Sequence, residues 1–164
     1  MFKRPISQVL LKRLNEPRRF IQVLAGPRQT GKTTLLRQVL KNLDIPSHYA
    51  SADEPALRGR IWIEQQWEIA RLKLSDAAKN YAAVLVLDEI QKIPNWSDIL
   101  KLLWDQDSAN KLPLHVVLLG SAPLLVQQGL SDSLAGRFET IPVTHWSFGE
   151  MHKAFAWDVD HFVF

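Results

Sequence analysis

Residues 26–33 run Gly-Pro-Arg-Gln-Thr-Gly-Lys-Thr, and this G-x-x-x-x-G-K-T spacing constrains the chain more than any other stretch. Ahead of it, Phe20-Ile21-Gln22-Val23-Leu24-Ala25 is apolar and short enough for a buried strand. Behind it, Thr34-Leu35-Leu36-Arg37-Gln38-Val39-Leu40 is apolar at helical spacing and holds neither glycine nor proline. Strand, glycine loop and helix in that order are the setting of a phosphate loop. Without a Cβ, Gly26 and Gly31 let the loop take positive φ and turn successive amides toward an anion. The first helical turn adds unpaired N–H groups and the positive end of the helix dipole. The predicted nucleotide contacts are therefore Gly26, Pro27, Arg28, Gln29, Thr30, Gly31, Lys32, Thr33 and Thr34. Lys32 brings an ammonium to the β- and γ-phosphate oxygens, and Thr33 brings a hydroxyl to Mg²⁺. Arg28 occupies a variable position, where solvation competes with a phosphate contact.

Binding is not hydrolysis, which needs acids opposite the loop. Leu85-Val86-Leu87-Asp88-Glu89 supplies them. An apolar strand ending in Asp88 can hold the Mg²⁺ water shell at the carboxyl end of a sheet, where open α/β sheets bind ligands. Glu89 can polarise a water for in-line attack on the γ-phosphate as a general base. Two acids after a strand could equally be solvated; the phosphate loop upstream favours the functional reading. Asp88 is followed by Glu89-Ile90-Gln91 rather than D-x-x-G, and no N-K-x-D motif occurs, so ATP is expected over GTP.

The remaining pattern alternates helix and strand. Ile6 to Leu14 reads as an amphipathic helix ended by Pro17, and His48 to Ser51 as a weak second strand followed by Asp53-Glu54. Residues 56–80 look mostly helical, and the six apolar residues Ala82 to Leu87 form a strand covered on both faces. A helix from about Ser97 to Ser108 has Ser97 or Asn95 as its N-cap. His115 to Gly120 is another buried strand, 122–129 and 131–135 are short helical pieces, and Glu139 to Val143 is a last strand. Right-handed crossovers then build an α/β fold, a parallel sheet with helices on both faces. Asp53 and Glu54 are candidates for an outer shell of acids around the cation.

At 164 residues, 46% of them apolar, the chain fits one domain with its own core. Residues 1–17 read as an N-terminal helical extension, and 145–164, rich in aromatics, as the start of a C-terminal region that continues elsewhere. Trp146 and Trp157 divide between that inter-domain surface and the core, whereas Trp96 and Trp104 fit core packing. Absent cysteine excludes disulfides and thiolate metal sites. The five histidines show no H-E-x-x-H spacing, and no G-x-S-x-G elbow occurs. With no signal core and no run of 18 apolar residues, a cytoplasmic protein without membrane contact is expected. The net charge of +3 is compatible with polyanion contact but scattered, so nucleic acid is a possible but unsupported partner.

Taken together, G-P-R-Q-T-G-K-T-T-L, L-V-L-D-E-I-Q-K-I-P-N-W, L-L-G-S-A and S-L-A-G-R-F with the following W-S-F-G-E resemble the predicted AAA+ superfamily ATPases of bacteria and archaea. In those a comparable core precedes a C-terminal domain of unknown function. The resemblance implies a three-layer core of about five strands in the order 5-1-4-3-2, with Lys32, Thr33, Asp88, Glu89 and Ser121 at the nucleotide. It implies for Ser121 a role sensing the γ-phosphate or orienting water, against which stands a plain helix cap. Arg137, at the family's Gly-Arg position, could meet the γ-phosphate in cis or from a neighbouring subunit, or lie on the surface. Ala122-Pro123 departs from the small polar residue similar proteins carry there. The expected activity is Mg·ATP binding and hydrolysis coupled to a C-terminal domain or another protein, with self-association open. The alternative is an ATP/ADP-binding switch without turnover, and last comes a small-molecule kinase.

Overall fold

The computed structural model describes residues 2–53, 59–76, 82–121, 132–158 and 160. The expectations for Glu54, for a helical piece at 122–129 and for the last four residues of the aromatic 145–164 segment lie outside these. The elements run α1 (Ile6–Asn15), β1 (Ile21–Ala25), α2 (Lys32–Lys41), β2 (Ser47–Ser51), α3 (Arg60–Asp76) and β3 (Ala83–Asp88). After a 3₁₀ turn at Ile90–Lys92 come α4 (Trp96–Ala109), β4 (Leu114–Gly120), β5 (Phe138–Pro142) and a last helix, α5 (Phe148–Phe155).

The five strands form one parallel sheet in the order β2-β3-β4-β1-β5. Read from the other edge this is 5-1-4-3-2, as the resemblance implies. Side-chain alternation sorts the strand residues onto two faces. Ile21 and Val23 of β1, Leu85 and Leu87 of β3, and Val116 and Leu118 of β4 pack against Ile63 and Trp67 of α3 and Leu100 and Trp104 of α4. Leu24, Val84, Val86, Val117 and Leu119 face the other way, onto Leu10 and Leu14 of α1 and Leu35, Leu36 and Val39 of α2. Three layers result.

Central position explains composition. Val84 to Leu87 are fully buried, each contributing about 1.5–3 kcal/mol, because helices cover both faces of β3. The edge strand β2 is half-exposed except at Ala50, which accounts for its weak sequence signal. Near the α3–α4 contact the buried Asp107 carboxylate accepts from Trp67 Nε1 at 2.7 Å and from Arg71 Nε at 2.8 Å. Both oxygens are thereby satisfied, as a buried charge requires.

Parallel strands all end at the same edge of the sheet. β4 lies between β1 and β3, so the segments leaving β1 and β3 emerge about 10 Å apart with the end of β4 between them. Ala25 is level with Gly120, and Asp88 with Leu119.

Candidate nucleotide-binding site

The loop from Gly26 to Gly31 joins β1 to α2. Gly31 occupies the cap position of α2 at φ 83°, and no side chain caps the helix. Its first-turn amides therefore keep no side-chain acceptor, and no acid lies in that turn, which suits an anion. Gln29 also has positive φ, 61°. Gly26 is needed for a different reason from the one expected. It is not left-handed; instead a Cβ there would sit 1.9 Å from the Val143 carbonyl oxygen, where the chain leaving β5 crosses the loop.

Lys32 bends back over the loop. Its Nζ donates to the carbonyls of Gly26 at 2.9 Å and Pro27 at 2.6 Å, with Thr30 Oγ1 at 3.5 Å. Burial pushes the ammonium below the usual lysine value, while Glu89 and then Asp88 pull it back up. The acids therefore act on Lys32 across the cleft. That cleft, of about 240 Å³, is lined by residues 28–34 together with Asp88, Glu89, Leu119 and Ser121. The structure thus brings together Lys32, Thr33, Thr34, Asp88, Glu89 and Ser121, the last of them buried at the end of β4. Arg28 lines the cleft from an exposed position.

Two partners of the acids were not visible in the sequence. Tyr49 Oη donates to Asp88 Oδ2 at 2.5 Å, and Gln91 Nε2 donates to Glu89 Oε2 at 2.5 Å. Burial first, then the hydrogen bond to Asp88, holds the Tyr49 phenol well above its ordinary value, so it is a neutral donor. Glu89 itself is left-handed at φ 55°, and its N–H donates to the Leu119 carbonyl. Asp53 pairs with Lys92 rather than lining the cleft.

Arg137 is not brought to the loop. Its carbonyl accepts from Ile21 N–H, which places it at the amino end of β1, about 13 Å of strand from Ala25. There its guanidinium makes a two-point pair with Asp105 of α4, at 2.8 and 2.9 Å. A contact between Arg137 and the phosphates of its own chain is incompatible with that placement.

A second, apolar cavity of about 450 Å³ adjoins the first. Gly31 and Thr34 line both, and Phe2, Gln38, Trp146 and Phe155 enclose the second. Trp146 stacks at a tilt between Phe2 (5.7 Å) and Phe155 (5.5 Å). Phe2, ahead of α1, thus gathers beside the loop with Trp146, ahead of α5, and Phe155, at the end of that helix. Arg4, buried and 5.3 Å from the Trp146 ring, donates to Thr30 O at 2.9 Å and pairs with Glu150 at 2.8 Å. Glu150 also closes a capping box with Ser147 at the start of α5. Nothing in the sequence around Arg4 signals this.

The donor set suits Mg²⁺. A hydroxyl and a carboxylate give a hard cation oxygen ligands, too few to hold it without phosphate oxygens, which is how nucleotide-borne Mg²⁺ is bound. No group of three or more His, Cys, Asp or Glu able to hold a metal occurs among the described residues.

A phosphate loop between the interior strand β1 and helix α2, facing two carboxylates from a strand two places along, defines a P-loop nucleotide-binding core. The family model described as AAA domain matches residues 18–152, and the chain belongs to that family, within the AAA+ superfamily of P-loop ATPases. An uncharacterized protein of Mycobacterium tuberculosis is 34% identical over 129 residues, covering 76% of this chain and 25% of the relative. An uncharacterized protein of Methanocaldococcus jannaschii is 28% identical over 150 residues, 85% of this chain and 29% of the relative. The chain therefore spans between a quarter and a third of the length of the curated relatives it matches. Among solved structures, the Orc1 protein of Aeropyrum pernix, determined in complex with DNA, superposes with a TM-score of 0.64 over 92% of this chain and 47% of that one. At 16% identity this likeness concerns the fold. No described helix is long and apolar enough to cross a membrane.

Proposed function

We propose that this core binds Mg·ATP and hydrolyses it, and that the γ-phosphate state is passed to a partner protein or to further parts of a longer chain like its relatives. The observation that carries this is a single cleft lined by Lys32, Thr33, Asp88, Glu89 and Ser121. The loop amides and the first turn of α2 hold the triphosphate, and Lys32 leaves its own loop carbonyls for the β- and γ-oxygens. Thr33 and Asp88 would hold Mg²⁺, which when bound neutralises charge on the phosphate oxygens. Glu89 takes the proton of a water that attacks the γ-phosphorus in line, the β–γ bridging bond breaks, and ADP and phosphate leave. Ser121 lies where it can orient that water or the γ-phosphate. The aromatic cavity, which shares Gly31 and Thr34 with the cleft, suits the base, with apolar walls from Phe2, Leu35 and Phe155 and the Gln38 amide as a polar edge.

A protein partner is favoured over DNA because Arg4, Arg13, Arg60, Arg71, Lys92 and Arg137 are each paired with an acid rather than gathered in a basic stripe. Arg137 would then act toward phosphate only on a neighbouring subunit. The non-hydrolysing switch draws support from one feature: Gln91 already occupies an oxygen of Glu89. Radiolabelled ATP separates the two readings. Wild type should form ADP, Lys32→Ala should lose ATP binding, and Glu89→Gln should bind ATP and stop turnover. Phosphate release undiminished in Glu89→Gln removes that residue as base, and binding without any ADP formation establishes the switch.

A further inference from the structure

The neighbour of Asp88 on the edge strand carries a consequence for metal binding. Ser51 of β2 is in register with Asp88 and Tyr49 with Val86, so Tyr49 and Asp88 project from the same face of the sheet. Two residues of strand, about 7 Å, separate their levels, and a phenol is long enough to cover it. The Tyr49 hydroxyl reaches Asp88 Oδ2 at 2.5 Å. Val86, beneath Asp88 on this face, is fully buried, while Tyr49 is 42% exposed. The ring thus stands at the outer margin of the cleft with its hydroxyl turned inward to the carboxylate. Arg37 of α2 acts on the same phenol from the helix side.

We propose that Tyr49 is a positioning residue for the metal-binding carboxylate: its hydroxyl holds Asp88 in one rotamer and occupies Oδ2, leaving Oδ1 for the cation. An unrestrained carboxylate at a strand end must give up rotamer freedom each time a cation arrives, and a fixed one does not. The donor must be neutral and must not compete for the cation; a phenol meets both conditions, and a lysine or arginine there would repel Mg²⁺. The same logic separates the two adjacent acids, since Asp88 is fixed by a residue of another strand and Glu89 by Gln91 of its own turn. Tyr49 can act this way only if Mg·ATP occupies the cleft as proposed above.

The test measures ATP binding, not turnover, for wild type, Tyr49→Phe and Asp88→Asn in EDTA and across a Mg²⁺ titration, using a fluorescent ATP analogue. Tyr49→Phe keeps the ring and should melt with the wild type. Expected is unchanged affinity in EDTA, with the half-saturating Mg²⁺ concentration raised about three- to tenfold, below the roughly ten- to hundredfold typical of outer-shell partners because Tyr49 is partly exposed. Asp88→Asn should lose the Mg²⁺ enhancement outright. If wild type binds ATP with Mg²⁺ enhancement and Tyr49→Phe gives the same or a lower midpoint, the role of Tyr49 is overturned and the Mg·ATP reading stands. If wild type binds no ATP under either condition, both are overturned.

Discussion

Arg4 Nη1 donates to the carbonyl oxygen of Thr30 at 2.9 Å, tying the beginning of the chain to the middle of the phosphate loop. The same guanidinium donates to Thr144 O at 3.1 Å and pairs with Glu150, so one side chain gathers α1, the loop and α5. Removing it strands two backbone carbonyls and a carboxylate in a mostly buried place. Arg4→Ala should lower unfolding free energy by about 3 kcal/mol in urea titrations, whereas an equal change in Glu150→Gln, whose amide N–H would face an Arg4 or Ser147 donor, would mean that the carboxylate pair rather than the two carbonyls carries the effect. Arg4 first, then burial in opposition and the Ser147 N–H, holds the Glu150 carboxyl below its ordinary value of 4.5. Its contribution is therefore complete above pH 4.5 and is lost as pH falls through the lower folded value.

Gly26 and Val143 make a second contact that admits little change. A Cβ on residue 26 would lie 1.9 Å from a backbone oxygen whose own position is fixed, since Val143 N–H donates to Ala25 O at 2.9 Å. Gly26→Ala should cost about 3 kcal/mol or more, in the range of overpacked sites, and should weaken ATP binding because the loop must move. Gly136→Ala is the control: its φ of 76° is strained for alanine, but the space around it is open, so about 1 kcal/mol is expected. Equal costs in thermal melts would count against the steric account.

What could be read from the sequence, and what could not, divides along the same physical line. Ala83 to Leu87 announced a central strand because burial on both faces leaves only apolar residues, and parallel topology then placed the loop and the acids at one edge. Ser47–Ser51 was weak because an edge strand tolerates polar residues. Asn95 stands at the predicted cap of α4, yet it is left-handed at φ 57° and its side chain makes no cap bond, so residue type pointed to the right place with a different mechanism. Tyr49, Gln91 and Arg4 were hidden because register and long-range contacts decide their roles. The Gly-Arg pattern around Arg137 pointed to the nucleotide, but strand direction puts that residue at the opposite end of β1.

Arg137 with Asp105 is accordingly expected to act within its own chain as a surface clasp between β5 and α4. Both partners are partly exposed, at 30% and 44%, so even this two-point pair should contribute about 1 kcal/mol or less. Arg137→Ala in the monomeric protein should leave ATP affinity within about twofold of wild type, on the scale of a residue outside the site. A tenfold loss of affinity in dilute monomer would contradict the geometry. A loss of turnover only at concentrations where subunits associate would instead reveal action on a neighbour's phosphate.

His115 on β4 gives the clearest pH signature. It is buried, and burial first, with the nearby Arg18 guanidinium second, lowers its pKa from 6.5 to about 4. Arg18 cannot easily withdraw: it donates to the carbonyls of Leu114 and Trp104 and lies 3.4 Å over the Trp104 ring. In the folded protein His115 is thus neutral at pH values where the unfolded chain has already gained a proton. Its effect is complete stability above pH 6.5 and progressive loss as pH falls toward 4, the direction of a depressed folded value. By pH 5 the penalty should reach about 2 kcal/mol. Arg13, Glu16, Arg19 and Glu139 line the same small cavity as His115. The comparison is urea unfolding of wild type and His115→Leu at pH 7.5, 6 and 5. The variant should gain on wild type as pH drops, and two parallel curves would show that His115 accepts its proton in the fold as readily as in the open chain.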